Sequence, residues 1–357
     1  MRRVKCYETG MKKPNHHSAQ DHSGKSFPRM AEVANRAGVT VMTVSRALRN
    51  PEKVAPNTLK KIHVAIEQTG YVPNALAGAL SAGGGSRTIT ALIPTVQHAI
   101  FADTITGLSS AIGPEGYHLL LGETGYSRTE EDALIAAFLA RRPEGVILTG
   151  VTRSTRARDL LIRTGVPVVE TWELTSSPID MVVGYSNLKA AYAMTEWLAG
   201  RGYKRIAFVS GPSRLNERAR RREAGYRRAL KDLGLPILEI ISIGAPAAPR
   251  LEDGAAILPE VMLQKPDAIF FTSDIYAVGA IQGAKNFKIS VPEKLGIAGF
   301  HDLPIASVIT PTLTTVHVPS REIGYIAGRN ILARIKGEPA PQLSAIPFTI
   351  KARESTR

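Results

Sequence analysis

The feature that most constrains the fold of this sequence is a regular alternation that begins near Thr88 and continues almost to the end of the chain. Short apolar segments with the length of buried strands alternate with longer segments of helical periodicity. Strands that alternate with helices form parallel sheets, because each crossover helix packs back on the sheet. We therefore predict an α/β core of parallel sheets, preceded by a separate all-α region.

The alternation divides into two successive arrays, which predicts two lobes. The first array has the strands TITALIP, YHLLLGE, GVILTG and PVVET, with helices near residues 101–113, 129–141 and 155–164. The second has the strands MVVGY, RIAFVSG, ILEIISI, AIFFTS and LGIAGF, with helices near 187–200, 216–233, 252–264 and 274–286. Parallel sheets bind ligands beyond the carboxyl ends of their strands, so the cleft between the lobes is the expected small-molecule site.

The stretch MAEVANRAGVTVMTVSRAL, from Met30 to Leu48, predicts two short helices joined by a tight turn. Gly38 supplies the positive φ that ends the first helix, and Thr40 can cap the second. Four apolar residues at helical spacing can form a small core between the helices: Val33, Ala37, Val44 and Leu48. The outer face of the second helix is then left with Val41, Met42, Ser45, Arg46 and Arg49.

That outer face is able to enter the major groove of DNA, although an ordinary helical hairpin with a solvated basic face is the alternative. A third helix from Pro56 to Thr69, stopped by Gly70, would complete a compact headpiece, and Ala55 is a poor cap for it. Residues 71–87 predict a short helix that ends in a glycine run. This helix contains Gly78 and is too short to be stable alone, so a plain interdomain tether is the alternative.

The charge distribution favours contact between the N-terminal quarter of the chain and nucleic acid. The formal net charge is +14; residues 1–86 carry 13 Lys or Arg against 5 Asp or Glu, and the remaining residues carry 32 against 26. A basic region of this kind is expected to meet phosphates, although a basic tail without specific recognition would give the same imbalance. Residues 1–27 have little hydrophobic periodicity and are predicted to be disordered.

The cysteine content and hydropathy indicate a cytoplasmic protein without a membrane partner. Cys6 is the one cysteine, so an intrachain disulfide is impossible and a reducing compartment is expected. No run approaches the roughly 20 apolar residues that cross a membrane, and the N-terminal segment lacks the apolar region of a secretory signal. His16, His17, Asp21 and His22 have no familiar metal-site spacing with Cys6, so we prefer a solvated tail to a metal site.

Common enzyme motifs are missing from the sequence, which contains no G-x-S-x-G, no complete P-loop and no H-E-x-x-H. His301 and Asp302 are adjacent residues whose side chains generally point apart, so they do not form a catalytic pair. We therefore predict a protein that is not an enzyme and needs no cofactor. A periplasmic sugar-binding protein would share the two lobes, but it would need a signal segment and would lack the headpiece.

The sequence resembles the lactose-repressor/galactose-repressor (LacI/GalR) family of bacterial transcription regulators from about residue 28 to residue 350. The motifs that carry the resemblance are EVANRAGVTVMTVSRALRNPEKV, GYVPNALAGAL, the GF pair at 299–300 and PTLTTV at 311–316. Within the family, MTVSRALRNPE, VGYSN at 183–187 and AGFHD at 298–302 are most similar to the gluconate-operon repressors. The resemblance implies a helix-turn-helix headpiece on a two-lobed core like that of periplasmic binding proteins.

For the headpiece, the resemblance implies a homodimer that reads two half-sites of a near-palindromic operator in double-stranded DNA. The residues it assigns to base contacts are Val41, Met42 and Arg46. Arg46 can bond a guanine bidentately, whereas Val41 and Met42 can make only apolar contacts. The residues it assigns to phosphates are Thr43, Ser45, Arg49 and Lys53. Leu80 matches the hinge leucine that wedges into the minor groove, but Gly78 stands where arginine is frequent, which puts a hinge phosphate contact in doubt.

For the cleft, the resemblance assigns Phe101 to packing on the effector and assigns polar contacts to Asn216, Arg218, Arg222, Ser273 and His301. Arg218 and Arg222 can share one helix face and suit a carboxylate or phosphate, although a solvated basic face is the alternative. Tyr126 and Glu170 follow predicted strands and can meet hydroxyls or serve only structural roles. The arginines predict an acidic effector; the identification of gluconate, or a phosphorylated sugar acid, comes from the resemblance alone.

The predicted domain organisation has four parts: a disordered basic tail over 1–27, a headpiece over 28–73, a hinge helix and linker over 74–87, and a core over 88–350. The first lobe comprises about 88–186 and 318–342, and the second comprises about 187–317 and 343–350. The chain has no leucine-rich heptad tail, so a dimer is expected and not a tetramer. Effector-driven closure of the cleft is predicted to release the protein from its operator, and the resemblance favours induction.

Overall fold

The computed structural model describes residues 28–72, 85–212, 216–243 and 249–357. The chain forms two compact units with a boundary between Gly84 and Gly85. The predicted tail over 1–27, and Leu80 and Gly78 of the predicted hinge, lie outside the described residues.

The N-terminal unit is built from three helices, which confirms the predicted headpiece elements. They are α1 (Met30–Ala37), α2 (Val41–Arg49) and α3 (Pro56–Thr69), with a 3-10 turn over Pro51–Lys53. Gly38, at φ 66°, ends α1 in the left-handed conformation that glycine adopts without steric cost. The hydroxyl of Thr40 caps α2 by accepting a hydrogen bond from the backbone N–H of Thr43 at 3.2 Å.

The core of this unit is small and consists mainly of aliphatic side chains. Val33, Val44 and Ile62 are fully buried, one from each helix. Leu48 is partly buried against this cluster, and Ala34 is almost fully buried within it. Burying each large aliphatic side chain stabilises the unit by about 1.5 to 3 kcal/mol. The apolar contacts predicted between the first two helices are therefore confirmed.

The second unit contains two six-stranded sheets. The first has the order β11-β5-β4-β3-β1-β2 and the second the order β12-β10-β9-β8-β6-β7. All paired strands are parallel except β12, which is antiparallel to β10. The strands are β1 (Thr88–Ile93), β2 (His118–Glu123), β3 (Gly145–Thr149), β4 (Val168–Thr171), β5 (Met181–Gly184), β6 (Ile206–Ser210), β7 (Ile241–Ser242), β8 (Ala268–Phe271), β9 (Gly296–His301), β10 (Thr314–His317), β11 (Leu343–Ala345) and β12 (Thr349–Lys351).

Helices connect these strands at nearly all the predicted positions. They are α4 (Ala99–Ile112), α5 (Arg128–Leu139), α6 (Thr155–Thr164), α7 (Asn187–Gly200), α8 (Glu217–Asp232), α9 (Leu251–Leu263), α10 (Asp274–Asn286) and α11 (Ser320–Ile335), with 3-10 turns over Gly113–Glu115 and Pro304–Ser307. In the part of the chain that the structure describes, no helix is long and apolar enough to cross a membrane.

Two features of the predicted lobe boundaries are wrong, and so is one detail of the predicted strand arrays. Strand β5, predicted to open the second array, pairs with β4 in the first sheet, which agrees with the predicted first lobe over 88–186. Strand β11 pairs with β5, so Leu343–Ala345 belong to the first lobe and not to the second. The core also continues past residue 350, because Ser355 is fully buried and its backbone N–H donates to the carbonyl of Thr312 at 2.9 Å. Apolar periodicity identifies strands but does not specify the sheet that each one joins.

Close helix packing holds the first lobe together, and glycines make it possible. A Cβ on Gly107 of α4 would lie 1.9 Å from the carbonyl oxygen of Arg321 on α11. A Cβ on Gly324 of α11 would lie 1.9 Å from the carbonyl oxygen of Thr104 on α4. The two backbones therefore pack directly against each other. The chain enters the second lobe after β5, returns after β10 and enters it again after β11.

Candidate functional site

A cavity of about 270 Å³ lies where the carboxyl ends of strands from both sheets meet; we call it the main cavity. The first lobe contributes residues after β1, β2, β4 and β5, and the second contributes residues after β6 and β8 together with the end of β9. Seven of the eight residues predicted for the effector line it: Phe101, Tyr126, Asn216, Arg218, Arg222, Ser273 and His301. This arrangement matches the expected position of a ligand site in parallel sheets.

Glu170, the eighth, does not line the main cavity, so the prediction for this residue is wrong. It lies within β4 and is fully buried, and its carboxylate forms an ion pair with Arg153. The second carboxylate oxygen accepts a hydrogen bond from the backbone N–H of Ile179 at 2.9 Å. Burial raises the pKa of Glu170, and the neighbouring Arg153 opposes that rise. The role of Glu170 is structural, which was the alternative left open from the sequence.

Helix α8 presents two arginines to the main cavity. Asn216 caps the helix by accepting hydrogen bonds from the backbone N–H groups of Arg218 and Ala219 at 3.1 and 3.4 Å. Arg218 and Arg222 are separated by four residues and therefore lie on one helix face. Their exposed fractions are only 6% and 5%, so the alternative of a solvated basic face does not apply to them.

Arg222 has an incomplete set of partners. Its Nη1 is 3.1 Å from Nε2 of His301, and the guanidinium lies 4.6 Å above the ring centroid of Phe300. Its Nε is buried and has no hydrogen-bond partner among the described residues. Burial lowers the pKa of Arg222, and the positive charge of Arg218 lowers it further, while Tyr185 acts in the opposite direction. None of the described residues that line the main cavity is an aspartate or a glutamate.

Two histidines in the main cavity are held neutral. Burial lowers the pKa of His98 to about 3, with additional contributions from Arg222 and Arg218. Burial and the charge of Arg222 also hold the pKa of His301 well below its usual value. Because Arg222 can only donate, Nε2 of His301 must accept, and the proton of the neutral ring therefore lies on Nδ1. The two rings make an edge contact with centroids 5.3 Å apart.

Sequence reasoning did not identify His98 or Trp172 as site residues. Trp172 directly follows β4, has a φ of 74°, and packs edge-on against Phe101 with centroids 5.6 Å apart. Its indole Nε1 is buried without a partner among the described residues, as is the hydroxyl of Ser273. The position of Trp172, directly after a buried strand, is the sequence feature that could have indicated a site residue. His301 has a φ of 109°, and such strained backbone concentrates at functional sites.

The N-terminal unit places the predicted base-reading residues on an open surface. Val41 and Met42 are 47% and 70% exposed, and Arg46 is also exposed. Nη2 of Arg49 donates to the hydroxyl of Ser45 at 2.7 Å, so these two predicted phosphate contacts lie side by side. The other two have different surroundings. The Thr43 hydroxyl is 2.9 Å from that of Thr40, and Lys53 is exposed on the 3-10 turn.

Comparison with known proteins matches both units. Residues 29–74 match the model of bacterial regulatory proteins of the lacI family, and residues 195–356 match the periplasmic binding protein-like domain. The HTH-type transcriptional regulator GntR of Pseudomonas aeruginosa is 35% identical over 92% of this chain and 96% of its own length. GntR of Escherichia coli K12 is 34% identical over 91% and 98%, respectively. The chain belongs to the LacI family of bacterial transcriptional regulators.

Solved structures of the LacI family show the same architecture. A LacI-family regulator from Silicibacter pomeroyi superposes with a TM-score of 0.86 and 28% identity, covering 92% of this chain and all of that one. GntR from Chromobacterium violaceum superposes with a TM-score of 0.71 and 34% identity, covering 75% of this chain and 99% of that one. The predicted family and fold class are therefore confirmed, and this LacI-family chain is a DNA-binding transcriptional regulator and not an enzyme.

Proposed function

We propose that this regulator represses genes of sugar-acid catabolism and leaves its operator when a sugar-acid anion such as gluconate binds in the main cavity. The observation that carries the proposal is the state of Arg222. This guanidinium is buried, its Nε has no partner among the described residues, and no described residue lining the cavity supplies a carboxylate. A buried charge without a compensating partner costs several kcal/mol, and a ligand carboxylate would offset that cost.

The other unpaired groups of the main cavity support the same ligand class. Arg222 Nε, Trp172 Nε1 and the protonated Nδ1 of His301 can only donate hydrogen bonds, and the Ser273 hydroxyl can donate or accept. A polyhydroxylated carboxylate offers oxygens to all four. The aromatic side chains of Phe101 and Trp172 provide apolar surface for its carbon chain. The identification of gluconate rests on the resemblance of the headpiece, VGYSN and AGFHD motifs to gluconate-operon repressors.

The DNA-binding part of the proposal assigns α2 to the major groove of the operator. In it, Arg46 bonds a guanine, while Val41 and Met42 pack on thymine methyl groups. Thr43, Ser45, Arg49 and Lys53 bind phosphates, and Leu80 wedges into the minor groove at the operator centre. The assignment is supported by exposure: Val41, Met42, Arg46, Arg49 and Lys53 are exposed, and Thr43 and Ser45 are half-buried.

The active species in this proposal is a homodimer on a near-palindromic operator. One solved relative in fold is described as the lac repressor dimer bound to operator, with a TM-score of 0.76 and 20% identity. Edge strand β2 supports a dimer, because it exposes Leu120 and Leu121, which are 40% and 43% exposed. An apolar edge strand of this kind is normally covered by another element or another chain.

The experiment that tests the proposed function titrates gluconate, 6-phosphogluconate and glucose against the full chain bound to DNA from its own promoter. A sugar acid should weaken operator binding about 5- to 150-fold, which corresponds to a coupling free energy of about 1 to 3 kcal/mol. Glucose should have no effect, because it carries no charge to pair with Arg222. Fluorescence anisotropy of labelled operator DNA measures each affinity. The proposal fails if no acid acts, or if glucose alone releases the DNA.

Substitutions in α8 test the role of Arg222 in effector binding directly. Arg222→Met should keep operator binding but lose the response to the sugar acid, because the cavity no longer holds its buried cation. Arg221→Met is the matched control, since Arg221 is exposed on the same helix and does not line the main cavity. Equal responses from the two variants would contradict the assignment of Arg222.

A further inference from the structure

A smaller cavity of about 60 Å³ adjoins the main cavity; we call it the side cavity. The two cavities share Tyr126, Asn216 and Arg218 among their lining residues, so a ligand in one can extend into the other. The lining of the side cavity also includes Glu217, the first residue of α8. Glu217 has no place in the predicted effector site or in the function proposed above.

Glu217 links the two lobes across the cleft. Its Oε1 accepts a hydrogen bond at 2.6 Å from the backbone N–H of Val151, which follows β3 in the first lobe. The neighbouring Gly150 permits this approach, because a Cβ there would lie 2.5 Å from Oε1 of Glu217. One oxygen of the carboxylate is therefore held by the backbone of the first lobe, while the residue itself belongs to α8 of the second lobe.

The second oxygen of this carboxylate is left without a donor. Oε2 of Glu217 is buried and has no hydrogen-bond partner among the described residues. The cap of α8 does not supply one, because Asn216 uses its Oδ1 to accept from the backbone. A buried acceptor of this kind is costly unless a donor reaches it. In the side cavity, the unpaired protein group would be satisfied by a hydrogen-bond donor of the ligand. In the main cavity, the unpaired groups would be satisfied by hydrogen-bond acceptors of the ligand.

We propose that the side cavity binds the terminal hydroxyl of the effector, which donates a hydrogen bond to Oε2 of Glu217. This inference rests on the proposed function, because it places the effector carboxylate at Arg222. The two residues are five positions apart on α8, which is about 7.5 Å along the helix axis, and they lie on different faces of the helix. Arg218, which lines both cavities, lies between them, so an extended six-carbon chain would pass beside it from one cavity into the other. The ligand class is thus an open-chain aldonate with a free terminal hydroxyl.

The same geometry disfavours an effector phosphorylated at its far end. A phosphoryl group in the side cavity would offer only acceptors and negative charge to the Glu217 carboxylate. Burial raises the pKa of Glu131, which also lines this cavity; Arg153 opposes the rise, and the charges of Asp132 and Glu217 add to it. Arg128 and Arg220 line the cavity but are exposed, and water screens their attraction for a phosphate. Arg218 also lines it and is buried, but it shares with Arg222 the helix face that takes the effector carboxylate in this proposal.

Isothermal titration calorimetry of the full chain tests this inference with three ligands: gluconate, 6-deoxygluconate and 6-phosphogluconate. Gluconate should bind about 10- to 150-fold more tightly than 6-deoxygluconate, which is the range expected for one hydrogen bond to a charged group. It should also bind more tightly than 6-phosphogluconate. These comparisons use the unaltered protein, so they do not depend on the folding of any variant.

Glu217→Gln adds a test from the side of the protein. The amide oxygen can still accept from Val151, while the second position changes from an acceptor to a donor. The amide can donate to the terminal hydroxyl, but this neutral hydrogen bond is weaker than one to a carboxylate, so the preference over 6-deoxygluconate should fall to about 2- to 12-fold. The preference over 6-phosphogluconate should be lost, because the amide can donate to a phosphate; a double-mutant comparison isolates both changes. Glu223→Gln is the matched control, because Glu223 lies on the same helix, pairs with Arg227 and lines neither cavity. It should leave all three affinities unchanged.

The possible failures are distinguishable. If the unaltered protein binds 6-deoxygluconate or 6-phosphogluconate as tightly as gluconate, the hydroxyl subsite is wrong but the sugar-acid cleft stands. An unchanged gluconate preference in folded Glu217→Gln, verified by its thermal midpoint, would also overturn the subsite. If none of the three acids binds, the proposed function itself fails, and the subsite fails with it.

Discussion

Arg222 shows how a single side chain can restrict the chemistry of a cavity. Its contacts with the Phe300 ring and with neutral His301 stabilise a cation only in part, because neither carries a negative charge. A cation–π contact contributes about 0.5 to 2 kcal/mol, which is less than the several kcal/mol that burial of a guanidinium costs. These two contacts therefore leave part of the desolvation cost of Arg222 uncompensated, and an anionic ligand would offset it.

Residues in the headpiece separate into two kinds of DNA contact that can be distinguished experimentally. Arg46→Ala should reduce the preference for operator over random DNA by about 1 to 3 kcal/mol, because a bidentate contact to one guanine is lost. Lys53→Ala should weaken binding to both DNAs equally and reduce the salt dependence by about one phosphate contact. Affinities measured by anisotropy at several salt concentrations provide both quantities.

Each of these two variants is the control for the other. Parallel losses on operator and random DNA for both variants would contradict the division between base and phosphate contacts. A loss of discrimination in Lys53→Ala alone would show that the roles are exchanged. Both side chains are exposed, so neither substitution should disturb the core of the headpiece.

At the scale of residues, the sequence allows site residues to be predicted where they belong to a recurring motif. It does not allow the prediction of contact partners that are distant in sequence and meet only in the folded chain. The arginines of α8 were predictable because their spacing places them on one face. The structural role of Glu170 was not predictable, because its partner Arg153 precedes it by 17 residues on another segment. The link from Glu217 to Val151 spans 66 residues and two lobes, and no local pattern reports such a contact.

At the scale of elements, helix and strand positions were largely predictable, but their association was not. The strand over Leu343–Ala345 contains only three residues, of which one is partly buried and two are exposed. Such a segment has too little apolar periodicity to show which sheet it joins. Its position follows from the return of the chain to the first lobe along α11, which is a property of topology and not of local composition.

The packing of α4 on α11 gives a prediction about stability. Gly107→Ala should destabilise the core by about 1 to 3 kcal/mol or more, because the added Cβ would meet the backbone of Arg321, which cannot move aside as a side chain can. Urea unfolding followed by tryptophan fluorescence measures this change. Both tryptophans of the chain, Trp172 and Trp197, lie in the second unit, so the signal follows that unit.

A second glycine close to the end of α4 is a matched control for this prediction. Gly113 has a φ of −59°, and a Cβ built there meets nothing within 4 Å. Gly113→Ala should therefore be neutral or stabilising by about 0.4 to 1 kcal/mol, because alanine restricts the unfolded chain more than glycine does. Equal unfolding midpoints for the two variants would show that the helix contact is looser than the structure indicates.

At the scale of the whole molecule, one buried carboxyl group links α10 to the part of the second lobe where the chain leaves for α11. Oδ2 of Asp274 accepts from the backbone N–H of Leu303 at 2.6 Å, and Oδ1 accepts from the hydroxyl of Thr315. Burial raises the pKa of Asp274 from 3.8 to about 7, and the nearby Asp302 adds to this effect. The hydrogen bonds from Thr315 and Leu303 oppose it.

This raised pKa predicts that the stability of the core decreases as the pH rises. Between about pH 4 and pH 7 the folded protein binds the Asp274 proton and the unfolded chain does not, so folding is most favoured below this window. Each pKa unit corresponds to about 1.4 kcal/mol, so between pH 5 and pH 8 this group lowers the free energy of unfolding by as much as about 3 kcal/mol.

Asp274→Asn tests this prediction, because asparagine cannot ionise; its amide oxygen can accept from the N–H of Leu303, and its NH2 group can donate to the hydroxyl of Thr315. Urea unfolding at pH 5 and pH 8 should show a smaller decrease in the free energy of unfolding for Asp274→Asn than for the unaltered protein. The exposed control Asp159→Asn should retain the full decrease. Parallel pH profiles for Asp274→Asn and the unaltered protein would show that Asp274 is already ionised in the folded state.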